Sequence, residues 1–344
     1  MVLPGDFAFL PTAVGSLPHT DPLAACALVG RHLPLIPAWP QLPRRGPQEG
    51  LYAQFSRGFP GIVERDGLVT VDRRDGFEAA LEQFYRRYLE EDLDAFALDA
   101  EHAAGFAAFI AGDFPSARAV KGHVIGPVSW GLAVTDQQRR PILYDEILAD
   151  AAARHLRLQS SWQERALAGL ASPTIVFVDE PYLSSFGSAF LAVERGEVQG
   201  LLEQVFAGIH GLAGVHCCGN TDWSMLLETS VDILNFDAYT YAETLALYPD
   251  ALRAFLARGG ILAWGIVPTG SDEQVQAASA EMLTERLWSA LRLVAAKGIP
   301  LETLLAQALL TPACGLATLS EQGAERALAL LAEVSSRMRR AIGV

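Results

Sequence analysis

The chain has 344 residues, of which 51% are hydrophobic and 19% are charged, and its formal net charge is −14 at pH 7. This acidic balance argues against nucleic acid as the main partner, and no apolar run reaches the roughly 18 residues of a membrane span. Without a leader pattern, and with four cysteines, we expect a cytoplasmic protein whose cysteines are core residues, metal ligands or catalytic thiols.

Short apolar runs typical of strands alternate along the chain with longer helical patterns. The predicted strands are 8–15, 94–98, 119–125, 174–178, 212–216, 231–236, 260–266 and 306–310. The helical patterns between them cover 75–93, 142–170, 193–209, 241–257 and 273–297. This order predicts a parallel sheet covered by helices, and about eight such units favour a single (β/α)8 TIM barrel over 1–344. No Gly-x-Gly-x-x-Gly follows a strand, which argues against a dinucleotide-binding fold.

One segment does not fit this alternation. Residues 34–72 are rich in proline and glycine and have no clean hydrophobic period. We expect an irregular insertion there, or a lid near one mouth of the barrel. Glu49 lies in this segment and could line a pocket.

Polar side chains follow several predicted strands at their carboxyl ends. They are Ser16, Asp179, His216, Cys218, Asp237 and Cys314. Because the carboxyl ends of the strands in a parallel barrel meet on one face, we expect these side chains to share one mouth. Side chains of an extended segment alternate, so His216 and Cys218 should lie on one side and Cys217 should pack on the other.

The residue types at this mouth are those of a zinc site. Zinc binds thiolates and imidazole tetrahedrally, and a catalytic site keeps one position for water or substrate. We therefore predict that His216, Cys218 and Cys314 bind zinc, with Asp237 as an oxygen ligand in the resting state. A thiol bound to this zinc would be deprotonated and nucleophilic at neutral pH. The alternative is that the cysteines are ordinary core residues.

Two further residues at strand ends have two interpretations each. Asp179 follows an apolar strand, where it could cap a helix or hold an amino group of a ligand. Ser16 could cap the first helix, or it could donate a hydrogen bond to a substrate carboxylate.

Several segments together resemble a known superfamily. Six segments, in this order along the chain, resemble cobalamin-independent methionine synthase and the uroporphyrinogen decarboxylase superfamily. They are VGSLPHT, VDEP, HCCGNTDW, ILNFDAY, WGIVPT and TPACGL. The similarity is greatest to the C-terminal catalytic barrel of methionine synthase and to zinc-dependent corrinoid–thiol methyltransferases. It implies zinc ligation by His216, Cys218 and Cys314, with Asp237 where methionine synthase has a glutamate ligand. It also implies that Asp179 holds the amino group of homocysteine and that Ser16 lies near the carboxylate.

Two departures from that pattern bear on the substrates. Methionine synthase has an additional N-terminal barrel that helps to bind its folate donor, and we expect no such second barrel in these 344 residues. Its His-Gly-Glu segment has no match here, and Glu49 is the nearest substitute. We therefore expect the methyl donor to be methylcobalamin or a methylcorrinoid on a partner protein. We expect the acceptor to be a small thiol, most simply homocysteine in methionine biosynthesis.

Other functions are compatible with the same residues. Coenzyme M or a tetrahydrofolate could be the other substrate at the same zinc site. A uroporphyrinogen decarboxylase-like enzyme would keep only the fold and would need no metal. A zinc- or corrinoid-binding protein without turnover would keep the site but not the reaction.

Overall fold

The computed structural model describes residues 7–188 and 191–344. The strands in this part of the chain are β1 (Leu10–Pro11), β2 (Ile62–Arg65), β3 (Leu68–Val71), β4 (Val120–Ile125), β5 (Thr135–Asp136), β6 (Thr174–Asp179), β7 (Leu212–Cys217), β8 (Ile233–Phe236), β9 (Ile261–Val267) and β10 (Ala308–Pro312). The helices are α1 (Pro22–His32), α2 (Phe77–Leu89), α3 (Ala104–Ile110), α4 (Pro127–Ala133), α5 (Glu146–Leu167), α6 (Arg195–Phe206), α7 (Trp223–Leu227), α8 (Ala238–Leu245), α9 (Pro249–Ala257), α10 (Asp272–Ala277), α11 (Ala280–Ala295), α12 (Leu301–Ala306) and α13 (Glu321–Ile342).

Seven of the described strands form one parallel sheet in the order β1-β10-β9-β8-β7-β6-β4. Consecutive neighbours from β6 to β10 are joined by helices, as a parallel sheet requires. A second, small sheet has the order β2-β3-β5. The large sheet is consistent with a TIM-like barrel, although its end strands, β1 and β4, are not paired with each other within the described residues.

Residues 35–41 are hydrogen-bonded to both ends of the large sheet. The N–H of Trp39 donates to the carbonyl of Lys121 in β4 at 3.1 Å. The N–H of Gln41 donates to the carbonyl of Gly15, just after β1, at 3.1 Å. These contacts are isolated parallel bridges and do not make an assigned strand.

The apolar core has two parts. The smaller part lies inside the large sheet and consists of Phe7, Leu10, Ile36, Ala119, Ile175, Phe177, Ile233, Ile261, Ala263 and Leu309. The larger part lies between the sheet and the helices, where a side chain at Gly122 of β4 would meet Gln163 and Leu167 of α5. Strand side chains alternate between these two parts, so position along a strand decides which one a residue joins.

The predicted strand 94–98 is wrong. This stretch contains most of a 3₁₀ helix, Leu93–Phe96, and no strand is assigned there. Phe96 is 1% exposed and packs edge-on against Phe84 and His155 on the helical side of the sheet. The short apolar run at 94–98 therefore packs against helices and does not join the sheet.

Other predicted boundaries also changed. The first strand is shorter than 8–15, and the helix predicted over 241–257 is divided before Pro249, which begins α9. The helix predicted over 273–297 is likewise divided, because Ser279 caps a new helix, α11. The irregular segment 34–72 contains the β2–β3 hairpin, whose Asp-Gly turn has positive φ at both residues. None of the described helices is long and apolar enough to span a membrane.

Candidate metal centre

The carboxyl ends of β7 and β10 bring three of the predicted site residues together, and the end of β6 lies beside them. Asp179 at the end of β6 is in register with His216 of β7. Cys218 directly follows β7, and Cys314 lies in the loop after β10. The ligand atoms of His216, Cys218 and Cys314, here called the metal cluster, all lie within 4.8 Å of one another.

The chemistry of the metal cluster fits a zinc ion. One imidazole and two thiols are ligands that zinc prefers over harder cations such as magnesium and calcium. His216 is 3% exposed, and its Nε2 atom is buried without a hydrogen-bond partner among the described residues. Buried nitrogens in proteins are nearly always partnered, so this atom is suited to ligate an ion.

The two thiols of the cluster differ in their affinity for a proton. The Cys314 thiol and the His216 ring beside the sulfur lower the pKa of Cys218 to about 4. The pKa of Cys314 is raised, because its thiol lies against the Cys218 sulfur and is largely buried. These shifts favour the thiolate form of Cys218 over that of Cys314, and the thiolate is the form that ligates zinc.

Cys217 lies on the opposite side of β7 from its two neighbours. It is fully buried in the apolar layer between sheet and helices, and its sulfur lies 3.5 Å from the carbonyl oxygen of Gly219. Burial raises the pKa of the Cys217 thiol to about 12. It is not part of the metal cluster, in agreement with the alternation of strand side chains.

Asp179 presents a buried carboxylate beside the cluster. It is 7% exposed, and its Oδ1 atom accepts no hydrogen bond from the described residues. Burial raises its pKa to about 6, opposed by the charges of His216 and Lys121. Lys121 is fully buried: its Nζ donates to the carbonyl of Val14 at 2.7 Å and lies 4.1 Å from the centre of the Phe177 ring. Asp179 can therefore accept a hydrogen bond from a ligand or form an ion pair with a positively charged ligand group.

The adjacent Glu180 has a structural role. Its carboxylate accepts hydrogen bonds from the N–H of Val128 at 2.9 Å, and from the N–H and Oγ of Ser129 at 2.8 and 2.6 Å. These donors belong to the first turn of α4, whose N–H groups have no partner within the helix. A side chain at Gly126 would overlap the Glu180 carboxyl group. The helix-cap interpretation thus applies to Glu180, and not to Asp179.

Asp237 lies at the N-terminus of α8. Its Oδ1 accepts a hydrogen bond from the N–H of Thr240 at 2.8 Å, so the carboxylate caps that helix. Burial raises the pKa of Asp237, with a contribution from the nearby Cys218 thiolate. The metal cluster does not include Asp237, and zinc ligation by this residue stays a prediction.

Ser16 lies beside the loop that carries Cys314. Its carbonyl accepts a hydrogen bond from the N–H of Leu316 at 2.8 Å, and a side chain at Gly315 would overlap its Oγ. The first helix, α1, is capped by Asp21. The helix-cap interpretation of Ser16 is therefore wrong, and contact with a substrate stays a prediction.

Glu49 ends a short 3₁₀ helix, Pro47–Glu49, and is 1% exposed. Its Oε1 accepts a hydrogen bond from Nε of Arg45 at 2.5 Å, and its Oε2 has no partner among the described residues. Burial raises the pKa of Glu49, and Arg45 opposes this shift. The metal cluster does not include Glu49, and its role in a pocket stays a prediction.

Two polar side chains inside the sheet were not predicted from the sequence. Asn235 of β8 is fully buried, and its Oδ1 lies 2.6 Å from Nδ1 of His216. Lys121 of β4 is the other. Each interrupts an apolar strand at an inward-facing position, and this interruption is the signal that could have identified them.

Comparison with known proteins relates the chain to others through its fold. No protein-family model matches the chain, and no curated protein matches it. A B12-independent methionine synthase from Shewanella sp. W3-18-1 in complex with selenomethionine aligns with 65% of this chain, at 21% identity and a TM-score of 0.47. The match spans 63% of that protein, less than two thirds of its length. A methyltransferase from Methanosarcina mazei aligns over 98% of this chain and 95% of its own length, at 13% identity and a TM-score of 0.55. The chain therefore shares the fold of this methyltransferase.

Proposed function

We propose that this chain is a zinc-dependent methyltransferase that moves a methyl group to a thiol. The observation that carries the proposal is the metal cluster, whose ligand atoms lie within 4.8 Å of one another at the carboxyl ends of parallel strands. The fold shared with the methyltransferase from Methanosarcina mazei supports the same class of reaction. We propose homocysteine as the acceptor, which gives methionine, and methylcobalamin or another methylcorrinoid as the donor.

In this proposal His216, Cys218 and Cys314 hold the zinc ion, and Asp237 is the candidate for an oxygen ligand. When bound there, zinc would keep a substrate thiol deprotonated and nucleophilic at neutral pH. The lowered pKa of Cys218 supports the proposal, because it favours the thiolate that zinc binds.

Asp179 is proposed to orient the substrate through its amino group. An ammonium group would satisfy both the hydrogen-bonding capacity and the charge of this buried carboxylate. Asp179 is in register with His216, so a substrate held there lies beside the metal cluster. Lys121 favours the ionised form of Asp179, while burial lowers the pKa of Lys121 itself to about 7.

Two further contacts complete the proposed substrate site. Ser16 would donate its hydroxyl to the substrate carboxylate, a role supported by its position against Gly315, next to Cys314. Glu49 would offer its unpartnered Oε2 as a second acceptor for the amino group. In the transfer, a lone pair on the substrate sulfur forms the new bond to the methyl carbon. The bond from the donor to that methyl group breaks with its electron pair, and the thiol proton leaves to solvent.

We also propose that residues 1–344 form one (β/α)8 barrel in which 35–41 serves as the second strand. The bonds from Trp39 to Lys121 and from Gln41 to Gly15 support this arrangement, because they join both ends of the large sheet through one segment. A closed barrel would bring Ser16 and Asp179 to the same mouth.

The test is zinc content and methyl transfer in the full chain, purified without chelator. Wild type and Cys314→Ser are compared for zinc per chain, and then for conversion of homocysteine to methionine with methylcobalamin. We expect about one zinc per wild-type chain, loss of zinc and activity in the variant, and no methionine without the donor.

The outcomes separate the candidate functions. Wild-type protein that neither contains zinc nor binds it from solution would overturn the proposal and favour a metal-free decarboxylase-like enzyme. Zinc with methyl transfer only to coenzyme M, or only from a methylated tetrahydrofolate, would overturn the proposed substrates but not the reaction class. Zinc without transfer from any of these donors would favour a binding protein.

A further inference from the structure

A hydrogen-bond network behind His216 crosses four neighbouring strands. His216 of β7 is in register with Asn235 of β8, and Asn235 is in register with Ala263 of β9. The Nδ1 atom of His216 lies 2.6 Å from Oδ1 of Asn235. The Nδ2 of Asn235 donates to the carbonyl of Ala263 and to Oγ1 of Thr311 in β10, each at 2.8 Å. His216 is 3% exposed, and Asn235 and Thr311 are fully buried, so water does not compete for these bonds.

The network determines which end of the Asn235 amide faces His216. The carbonyl oxygen of Ala263 can only accept a hydrogen bond, so the amide nitrogen must face Ala263. The amide oxygen then faces His216, and it too can only accept. Nδ1 of His216 must therefore carry a proton. In the neutral ring the lone pair is then on Nε2, the buried nitrogen without a partner.

We propose that Asn235, held by Ala263 and Thr311, is a positioning residue that keeps His216 in the Nδ1–H tautomer and directs Nε2 toward Cys218 and Cys314. The metal-binding consequence rests on the proposed function, whereas the tautomer does not. Partners of metal-bound histidines commonly change metal affinity by about 10- to 100-fold when they are removed. Asn235 carries out this role from within an apolar strand.

The first arm of the test is the tautomer of His216 in the metal-free full chain. Long-range nitrogen–proton NMR at alkaline pH, where the ring is neutral, reports which nitrogen carries the proton, and the signal is assigned by its loss in His216→Gln. We expect the Nδ1–H tautomer in wild type and a mixture of tautomers in Asn235→Ala. Asn235→Asp retains an acceptor for Nδ1 and should retain the tautomer. It also provides a second variant if Asn235→Ala does not fold.

The second arm is zinc affinity measured by competition with a chelator. We expect Asn235→Ala to bind zinc about 10- to 100-fold more weakly than wild type. Thr311→Val removes one of the two acceptors of the Asn235 amide nitrogen and leaves the carbonyl of Ala263, so it should weaken zinc binding less. The other asparagine of the chain, Asn220, is exposed in the loop after Cys218, so Asn220→Ala is the matched control and should bind zinc as wild type does.

The two arms separate failure of this inference from failure of the proposed function. An Asn235→Ala variant with an unchanged tautomer and unchanged zinc affinity would overturn the positioning role while leaving the zinc site intact. A wild-type chain that binds no zinc would overturn the proposed function. The tautomer comparison would then still decide whether Asn235 orients the ring.

Discussion

The two ends of the strands inside the large sheet are built from different residues. On β6, β7, β8 and β10 the inward-facing residues toward the amino end are apolar or glycine, and two positions further along the same face they are polar. β4 differs, because its buried Lys121 lies level with Ile175 near the amino end. Phe177 is followed by Asp179, Gly214 by His216, Ile233 by Asn235, and Leu309 by Thr311. The apolar end contributes burial of hydrophobic surface, whereas the polar end buries atoms that lack partners, which is unfavourable for folding. Stability and chemistry are therefore separated by about two residues along these four strands.

The largest difference between the two environments is expected when sulfur is replaced by oxygen in each of two adjacent cysteines. Cys218→Ser removes a thiolate from the metal cluster, and we expect zinc affinity to fall by more than about 100-fold, beyond the usual effect of a supporting residue. Cys217→Ser changes a thiol in the apolar layer behind the sheet and should retain zinc and activity. Zinc per chain and methyl transfer are measured for both variants. Loss of zinc in Cys217→Ser alone would contradict the assignment of the two faces.

The apolar end should respond in stability and not in metal binding. Leu309→Ala empties a fully buried position in the interior cluster, and we expect it to lower the free energy of unfolding by about 2–5 kcal/mol. Leu247→Ala makes the same chemical change at a side chain that is 71% exposed and should cost less than about 0.5 kcal/mol. Urea unfolding gives both values, and zinc per folded chain should be unchanged. A large loss of zinc in folded Leu309→Ala would show that the two ends are not independent.

The parts of this architecture that could be predicted from sequence depend on local patterns. The strands that end at Asp179 and His216 are continuous apolar runs, and alternation along β7 separated Cys217 from Cys218. The prediction that Cys314 joins them needed only the expectation that parallel strands end on one face. These signals are local, so they could be used without knowledge of distant contacts.

The remaining parts depend on contacts that a pattern does not contain. Residues 35–41 looked irregular because Pro37 and Pro40 cannot donate hydrogen bonds. However, the N–H groups that reach the sheet belong to Trp39 and Gln41, which the prolines leave free. Asn235 was missed for a related reason, because its role depends on partners in three other strands.

A third environment is found on the helical side of the sheet, where a buried histidine donates a hydrogen bond to a buried backbone carbonyl. His155 is fully buried, its Nε2 donates to the carbonyl of Phe55 at 2.7 Å, and burial lowers its pKa from 6.5 to about 4. Because the folded-state pKa is below the unfolded one, the stabilising effect is present above pH 6.5 and is lost as the pH falls toward 4.

We expect this loss to reach about 3 kcal/mol, at about 1.4 kcal/mol for each unit of pKa. His155→Gln keeps a donor for Phe55 but does not titrate, so its stability should fall less between neutral pH and pH 4. Urea unfolding of both proteins across this range measures the difference. Equal pH slopes in the two proteins would rule out His155 as a source of acid sensitivity.

The smallest expected effects come from Asp179 and Glu180, adjacent carboxylates with different surroundings. Glu180→Gln should lower the free energy of unfolding by about 1–3 kcal/mol, because Gln cannot accept all the hydrogen bonds that the first turn of α4 donates. Asp179→Asn should leave the free energy of unfolding nearly unchanged, since Oδ1 of Asp179 accepts no hydrogen bond from the described residues. The same variant should raise the KM for homocysteine by about 10-fold or more. The KM for a thiol without an amino group should change little in this variant. Urea unfolding and the KM for both thiols measure this contrast, and equal losses for the two thiols would remove the amino-group role of Asp179.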